Sequence, residues 1–437
     1  MPVATTEAQS DKLLPRITCP HCWEQFSPEK ILWVSEHIDL LGDPKLGFEH
    51  QQRFLPTRFT VGGEALDSHG FPCHQLACPN CHLSIPRPVL EMEQVFLSIF
   101  GAPASGKSYF LAAMTWELRK ILPLKFSISF SDAEPALNQK LNQYEESLFS
   151  SDRVGELVSL AALIEKTQVS QDAGLYDTVS FGSQTVSYPR PFLFSMQPQP
   201  GHPNGSKQGR LGRVVCLYDN AGESFQPGSD SAAAPVTRHM AHSRALFFVF
   251  DPMQDNNFRA RCSDPKGTAS APFTARQEPV LQEAAARIRR YAGLRQTEKH
   301  DRPLIVIVTK CDAWLHLIGD EAPPEPWRVL SRDRDDGRAQ DLMHALDTDL
   351  IERRSKLTRK MLLKYSPEIV TAAEGFAQEV VYIPVSSVGW GARVDEHNGL
   401  LSIRPGDTKP YWVTVPFLYA LSRWSKGLIP AIKRKPS

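Results

Sequence analysis

Residues 95–108 read Val95-Phe-Leu-Ser-Ile-Phe100-Gly101-Ala-Pro-Ala-Ser105-Gly106-Lys107-Ser108. The first six positions are largely apolar and predict a buried strand, and the stretch Lys107–Ile121 that follows predicts a helix. Between them stands the pattern GxxxxGK[ST]. Its glycines let the backbone wrap around phosphate without a Cβ clash. Successive N–H groups and the positive end of the helix then face the anion. The order of strand, loop and helix makes this stretch a nucleotide cradle rather than a chance glycine-rich turn. Lys107 should reach the β- and γ-phosphates and the Ser108 hydroxyl should ligate Mg2+, with Gly101, Ser105, Gly106 and Tyr109 completing the nucleotide contacts.

Beyond the cradle, short apolar runs alternate with amphipathic ones. Strands are predicted at Val95–Phe100, Phe126–Phe130, Pro191–Met196, Arg213–Tyr218, Ala245–Phe250, Leu304–Thr309 and Val380–Val385. Helices are predicted at Lys107–Ile121, Glu134–Phe149, Pro279–Tyr291, Ala339–Tyr365 and Val415–Lys426. This alternation belongs to an α/β domain whose largely parallel sheet carries helices on its faces. Loops rich in Gly, Pro, Ser and Asp at 197–212, 225–234 and 319–337 read as mobile insertions. Phe417, Leu421 and Trp424 recur at helical spacing and read as the apolar face of a docking helix.

Three later strands end in short motifs. Arg213–Tyr218 leads into Asp219-Asn-Ala-Gly222-Glu223, a DxxG element. Leu304–Val308 leads into Thr309-Lys310-Cys311-Asp312, a variant of [NT]KxD. Val380–Val385 leads into Ser386-Ser387-Val388-Gly389. An ionised Asp312 can accept from guanine N1–H and the 2-amino group, whereas adenine would leave the acceptor unpaired. Each motif is weak alone. Four in this order, each at a strand end, are strong together.

By these residues the region from Glu93 to about Lys426 resembles the translation-factor-related and Ras-like class of P-loop GTPases. Within that class it looks most like the bacterial double-GTPase group of conflict and signalling systems. That narrower likeness lies in Asp219–Glu223, the strand ending in Asp251-Pro252, and the inserted pair Phe126–Phe149. The resemblance implies a P-loop GTPase fold and Mg2+ held by Ser108, by Asp219 through water, and by a threonine between the first helix and the second strand. Thr167 fills that last place best, with Thr178 as the alternative. It also implies that the Gly222 N–H meets the γ-phosphate and that Thr309, Lys310, Asp312, Ser386 and Ser387 surround the base. The catalytic set would be Lys107, Asp219, Gly222 and Glu223. Glu223 stands where Ras-like enzymes place a glutamine; its added negative charge predicts slow hydrolysis. Arg238 reads as a solvated surface arginine, and no arginine finger is assigned.

Four of the eight cysteines form two matching knuckles, Cys19-Pro-His-Cys22 and Cys78-Pro-Asn-Cys81. Two CxxC pairs supply the four thiolates of a closed tetrahedral Zn2+ site with no open position for catalysis. Cys73, His74, His21 and His82 are bystanders to it. The module resembles a zinc ribbon with a long insert. Residues 1–90 hold seven Lys/Arg against ten Asp/Glu; seven minus ten is −3, which opposes nucleic-acid binding. Over the whole chain Lys plus Arg and Asp plus Glu both number 49, so no global charge favours polyanions. Apolar runs are far shorter than the ~20 residues that span a bilayer, and no signal-like core opens the chain, so a cytoplasmic location is expected. The organisation is residues 1–90 as zinc module, 91–430 as nucleotide domain and 431–437 as basic tail. The leading function is a Mg2+-dependent GTP/GDP switch with slow hydrolysis, reaching protein partners through its switch loops and zinc module. A nucleotide-binding scaffold without hydrolysis and a P-loop ATPase are the alternatives.

Overall fold

The computed structural model describes residues 13–150, 155–160, 175–220, 222–225, 237–262, 276–319, 324–330, 343–395, 401–425 and 427–432, with Pro235 and Ala322. Its centre is a sheet of seven strands: β1 (Glu93–Gly101), β2 (Ile128–Asp132), β3 (Phe192–Pro198), β4 (Arg213–Asp219), β5 (Ala245–Phe250), β6 (Leu304–Val308) and β7 (Val380–Pro384). They lie in the order β2-β3-β4-β1-β5-β6-β7. Strands β4, β1, β5, β6 and β7 pair parallel, β3 runs antiparallel to β4, and β2 antiparallel to β3. The sheet is therefore mixed, with β1 the fourth of its seven strands and a parallel part running from β4 to β7. The long helices are α1 (Lys107–Phe126), α2 (Pro135–Phe149), α3 (Glu278–Ala292), α4 (Thr348–Tyr365), α5 (Pro367–Phe376) and α6 (Val415–Trp424).

Side chains alternate across a strand, so the pairing Phe96 to Cys216 and Leu97 to Leu217 assigns each residue to a face. Val95, Leu97, Ile99, Val215, Leu217, Phe247 and Val249 share one apolar cluster with α1, α2 and α6. On the other face, Phe100, Leu246, Phe248, Val306 and Tyr382 pack with α3, α4 and α5. The rest of that second face belongs to the cysteine module: Phe96, Leu193, Val214, Cys216 and Tyr218 cluster with Ile17, Trp23, Phe26, Ile31 and Ile85. A strand such as Ala245–Phe250, buried at every position, is what a sheet covered on both sides requires.

Several boundaries differ from expectation. Helix α1 runs on past Ile121, through Pro123, because Leu122 and Phe126 are fully buried in the core beneath it. The helix expected at Ala339–Tyr365 begins only at Thr348, where the Asp347 carboxylate caps the Leu350 N–H at 3.0 Å. Met343–Asp347 is instead a strand paired with Trp327–Leu330 and with Ala431–Ile432. Those last two residues, assigned to the basic tail, are thus part of a small sheet. Helix α6 is buried from Val415 to Leu421 rather than along a single face, so it is core, not a docking helix. Residues 205–211 of the first loop form two short helical turns, and His202 and Asn204 bond the carbonyls of Leu428 and Gly427. Residues 226–234 and much of 319–337 lie outside the described residues, as does Lys426. A hairpin, Tyr176–Phe181 with Gln184–Pro189, and helix α5 were not anticipated. Among the described residues no helix is long and apolar enough to cross a membrane.

The insert between the knuckles folds with little regular structure, and one buried side chain holds much of it. Asp67 accepts from the backbone N–H groups of Glu36, His37, His69 and Phe71 at 2.9–3.3 Å. Burial pushes its carboxyl up, but the four donors outweigh that and leave it below the usual carboxylate range. A depressed carboxyl stabilises the fold above its unfolded pKa and loses that contribution as pH falls through the folded value. Asp67→Ala should strand these donors and destabilise the insert by about 3 kcal/mol, read as faster amide exchange at residues 36–37 and 69–71. Acidification of the wild type should loosen the same amides.

Candidate functional site

All four motifs lie at the carboxyl ends of parallel strands, β1, β4, β6 and β7, and the chain leaves β1 toward strands on both of its sides. Such a switch point opens a crevice outside the strand ends. The loop after β1 turns through left-handed backbone at Ala104 (φ 57°) and Gly106 (φ 90°) before α1 starts at Lys107. Gly101 cannot be replaced there, because a Cβ would stand 2.4 Å from the Val249 carbonyl oxygen of β5. The buried Lys107 ammonium lies back over its own loop, donating to the Gly101 oxygen at 3.0 Å and the Ala102 oxygen at 2.8 Å. Tyr109, one turn into the helix, donates its hydroxyl to the Leu160 carbonyl.

The DxxG segment presses on this loop. A Cβ on Gly222 would meet the Pro103 nitrogen at 2.5 Å, so only glycine allows the two backbones this close. Asp219 is half-buried, and its Oδ1, shielded from solvent, has no hydrogen-bond partner among the described residues. Burial raises its carboxyl, and the Lys107 charge opposes that rise. The Ser105 hydroxyl is likewise buried and unpartnered. Orphaned buried oxygens are uncommon, and here they sit beside a phosphate-type loop and a lysine. That donor set fits a nucleotide with a divalent cation: Asp219 and Ser108 could supply hard oxygen ligands, and Lys107 could supply charge. The backbone of Glu223 lies in a short turn, Gly222–Phe225. Thr167 lies outside the described residues. Thr178 is exposed on the hairpin, whose Ser180 N–H bonds the Lys45 carbonyl of the cysteine module.

The two later motifs are tied to the cradle and to each other. The Thr309 hydroxyl lies 3.3 Å from the Ser105 carbonyl and 3.1 Å from the Phe250 carbonyl, bridging the end of β5 to the phosphate loop. Lys310 adopts left-handed backbone (φ 54°) and pairs with Asp251 at 2.7 Å. Ser386 donates to Asp312 Oδ1 at 2.6 Å while accepting the Gly389 N–H at 2.9 Å, which orients the carboxylate. Burial raises the Asp312 carboxyl, and the Ser386 bond offsets part of that. Ser387 follows, half-buried. The fold thus gathers the sequence-predicted loop, Asp219, Gly222, Thr309, Lys310, Asp312 and Ser386. Sequence reasoning missed three contributors: Asp251, which holds Lys310, Asn220, and His239, which bonds Asn220. Only Asp251 carried a signal, the Asp-Pro pair at a strand end.

The second constellation lies in the module. Sγ atoms of Cys19, Cys22, Cys78 and Cys81 are all within 4.8 Å of one another, and all four residues are buried. Cys19 to Cys81 and Cys22 to Cys78 are each 3.8 Å apart. A tetrahedron with 2.3 Å metal–sulfur bonds has edges of about 3.8 Å, so the cluster fits one Zn2+. Both knuckles turn alike. The His21 and Asn80 N–H groups donate to Cys19 and Cys78 sulfur at 3.4 and 3.3 Å, and the residues after the second cysteines, Trp23 and His82, are left-handed. Burial pushes the Cys19 and Cys81 thiols up, whereas hydrogen bonds from neighbouring thiols pull Cys22 down. His21 instead meets the Ser84 carbonyl, His82 meets Asp43 at 2.8 Å, and Cys73 bonds the Phe71 carbonyl. Arg238 pairs with Glu24 at the surface.

No known family profile matches the chain. It is 26% identical over 263 residues to SaeC of Mycolicibacterium smegmatis, named as an ESX-1 scaffolding and assembly protein. That match covers 56% of this chain and 60% of SaeC, so the chain spans less than two thirds of that relative. Among solved structures, it is similar to the GTP-bound GTPase-like domain of S. cerevisiae Ski7, at 13% identity and a TM-score of 0.27 over 77% of this chain and 50% of the other. Sup35 bound to GDP or to GMPPNP matches at 12% identity and a TM-score of 0.22, over 70% of this chain and 41% of the other. Overlaps this loose do not define a shared fold.

Proposed function

We propose that this protein is a guanine-nucleotide switch whose output is protein docking. The observation that carries the reading is the convergence of four separated segments around one loop, with Asp219 Oδ1 and Ser105 Oγ buried there without partners among the described residues. Gly101–Ser108 would cradle the phosphates, Lys107 would leave its own loop carbonyls for the β- and γ-oxygens, and Asp219 with Ser108 would hold Mg2+. Bound Mg2+ would supply charge neutralisation at the phosphates. The Gly222 N–H would sense the γ-phosphate, and Asp312, oriented by Ser386, would read guanine. Glu223 in place of a neutral amide supports slow turnover. The name of SaeC supports assembly of a protein complex as the process served, and the cysteine module supports a partner platform stapled by one Zn2+.

Asp312→Asn exchanges one acceptor for a donor that opposes the guanine amino group but suits the extra carbonyl of xanthine. GTP affinity should fall while affinity for xanthosine triphosphate rises, a swing on the order of 10⁴-fold in discrimination. Equal binding of ATP and GTP by the wild type, or unchanged GTP binding by the variant, refutes guanine recognition. Phosphate release from bound GTP separates a slow hydrolase from a scaffold that merely holds nucleotide. Metal analysis should return about one zinc per chain, and Cys78→Ser should lose it and unfold the module, seen as early proteolysis. A metal-free protein with freely titratable thiols refutes the zinc site.

A further inference from the structure

The cysteine cluster and the DxxG segment are joined by a continuous buried network. Trp23, directly after Cys22, donates its indole N–H to the Tyr218 hydroxyl at 3.1 Å. Tyr218 in turn donates to the carbonyl of Pro20, inside the first knuckle. Its ring stacks on His239, with centroids 4.3 Å apart and planes 16° apart. Asn220 lies within the segment Asp219–Gly222, and both its backbone and side-chain N–H groups donate to the Ile99 carbonyl of β1. Its Oδ1 is therefore the acceptor toward His239 Nε2 at 2.9 Å, which puts the proton on Nε2. His239 Nδ1 then accepts from the Ser98 hydroxyl at 2.6 Å, and Ser98 meets Ser243 at 2.5 Å. Every member is buried.

We propose that Tyr218 and His239 are positioning residues that couple the cysteine cluster to the γ-phosphate-sensing segment, so that metal and nucleoside triphosphate strengthen each other's binding. The inference rests on the guanine-nucleotide reading above. A bound metal holds the knuckle backbone, and with it Pro20 and Trp23, which hydrogen-bond the Tyr218 hydroxyl. Tyr218 fixes the plane of His239, and His239 fixes Asn220 two residues before Gly222. Buried polar chains of this kind carry more than their separate bonds, because the low local dielectric strengthens each bond and penalises a broken one. Coupling between two sites is reciprocal for binding: whatever factor metal adds to triphosphate affinity, triphosphate adds to metal affinity. A diphosphate, which does not reach Gly222, should feel little of it.

The test uses the full chain in Mg2+, titrated with a non-hydrolysable GTP analogue and with GDP, zinc-loaded and after chelation. Chelation should weaken the analogue about tenfold and GDP less than twofold, and the analogue should raise Zn2+ affinity by the same factor in chelator competition. Zinc-loaded Tyr218→Phe keeps the ring and loses the hydroxyl. It should retain one zinc and GDP affinity yet lose most of the preference for the analogue. His239→Gln should do the same. Where chelation unfolds the module, the zinc-loaded variants decide alone: an unchanged ratio of analogue to GDP affinity in both overturns the coupling. Guanine-nucleotide binding that ignores zinc in a folded protein overturns the coupling and leaves the switch reading intact. Failure to bind either guanine nucleotide overturns both.

Discussion

A parallel sheet has to be buried on both faces, and this chain meets that constraint in an unequal way. Helices α1, α2 and α6 pack against one face, with Leu346, Ile351, Leu428 and Ile429 adding to the same cluster. On the other, α3, α4 and α5 cover only the half built from β5, β6 and β7. The half carrying Phe96, Leu193, Val214, Cys216 and Tyr218 would meet water without the cysteine module. At roughly 25 cal/mol per Å² of apolar surface, several uncovered aromatic and aliphatic side chains cannot be tolerated cheaply. The module is thus half of a core rather than an appendage. Tyr218 sits at the join, apolar in its ring and hydrogen-bonded at its hydroxyl, as a large buried aromatic with a polar tip must be.

The same sheet sets the chemistry at its carboxyl edge. Strand ends bring loops together only as closely as backbone atoms permit, and two glycines decide that limit. Gly101 lets the phosphate loop leave β1 against the Val249 carbonyl, and Gly222 lets the DxxG turn rest on Pro103. Thr309 then fastens the turn after β6 to the Gly101–Ser108 loop through a side-chain hydroxyl rather than through sheet pairing. Among the described residues, Asp219 Oδ1, Ser105 Oγ and Gln254 Oε1, whose amide donates to the Pro103 carbonyl, are buried around this loop without partners. In the proposed reading, a nucleotide and its cation would supply the partners of Asp219 and Ser105. Lys107, folded onto its own loop, avoids the cost of a buried unpaired charge by donating to the Gly101 and Ala102 carbonyls.

In the module, order comes from point anchors instead of repeated ladders. Its strands are mostly two or three residues long. Such strands bury little, and the insert relies on Asp67, on Asp43 gripping His82 and the Lys45 and Leu46 N–H groups, and on the four thiols. Metal binding at such a site contributes directly to folding, because no preformed cluster exists in the unfolded chain.

The local sequence alone determined the strand–loop–helix around Gly101–Ser108, the seven central strands, and the two matching knuckles, because each rests on near-neighbour spacing. GxxxxGK[ST] needs only its own eight residues, CxxC only four, and a fully buried strand is legible as an unbroken apolar run. Strand or helix for Met343–Asp347 was not legible, since that stretch takes its structure from pairing with Trp327–Leu330 and Ala431–Ile432, distant in the chain. Burial of α6 on nearly every side was hidden for the same reason: periodicity reports one apolar face, and neighbours supply the others. Tertiary structure alone decided that the module covers the sheet, that Ser386 orients Asp312, and that His239 meets Asn220. These contacts join residues tens to hundreds of positions apart, and no local pattern records which buried polar group will find which partner.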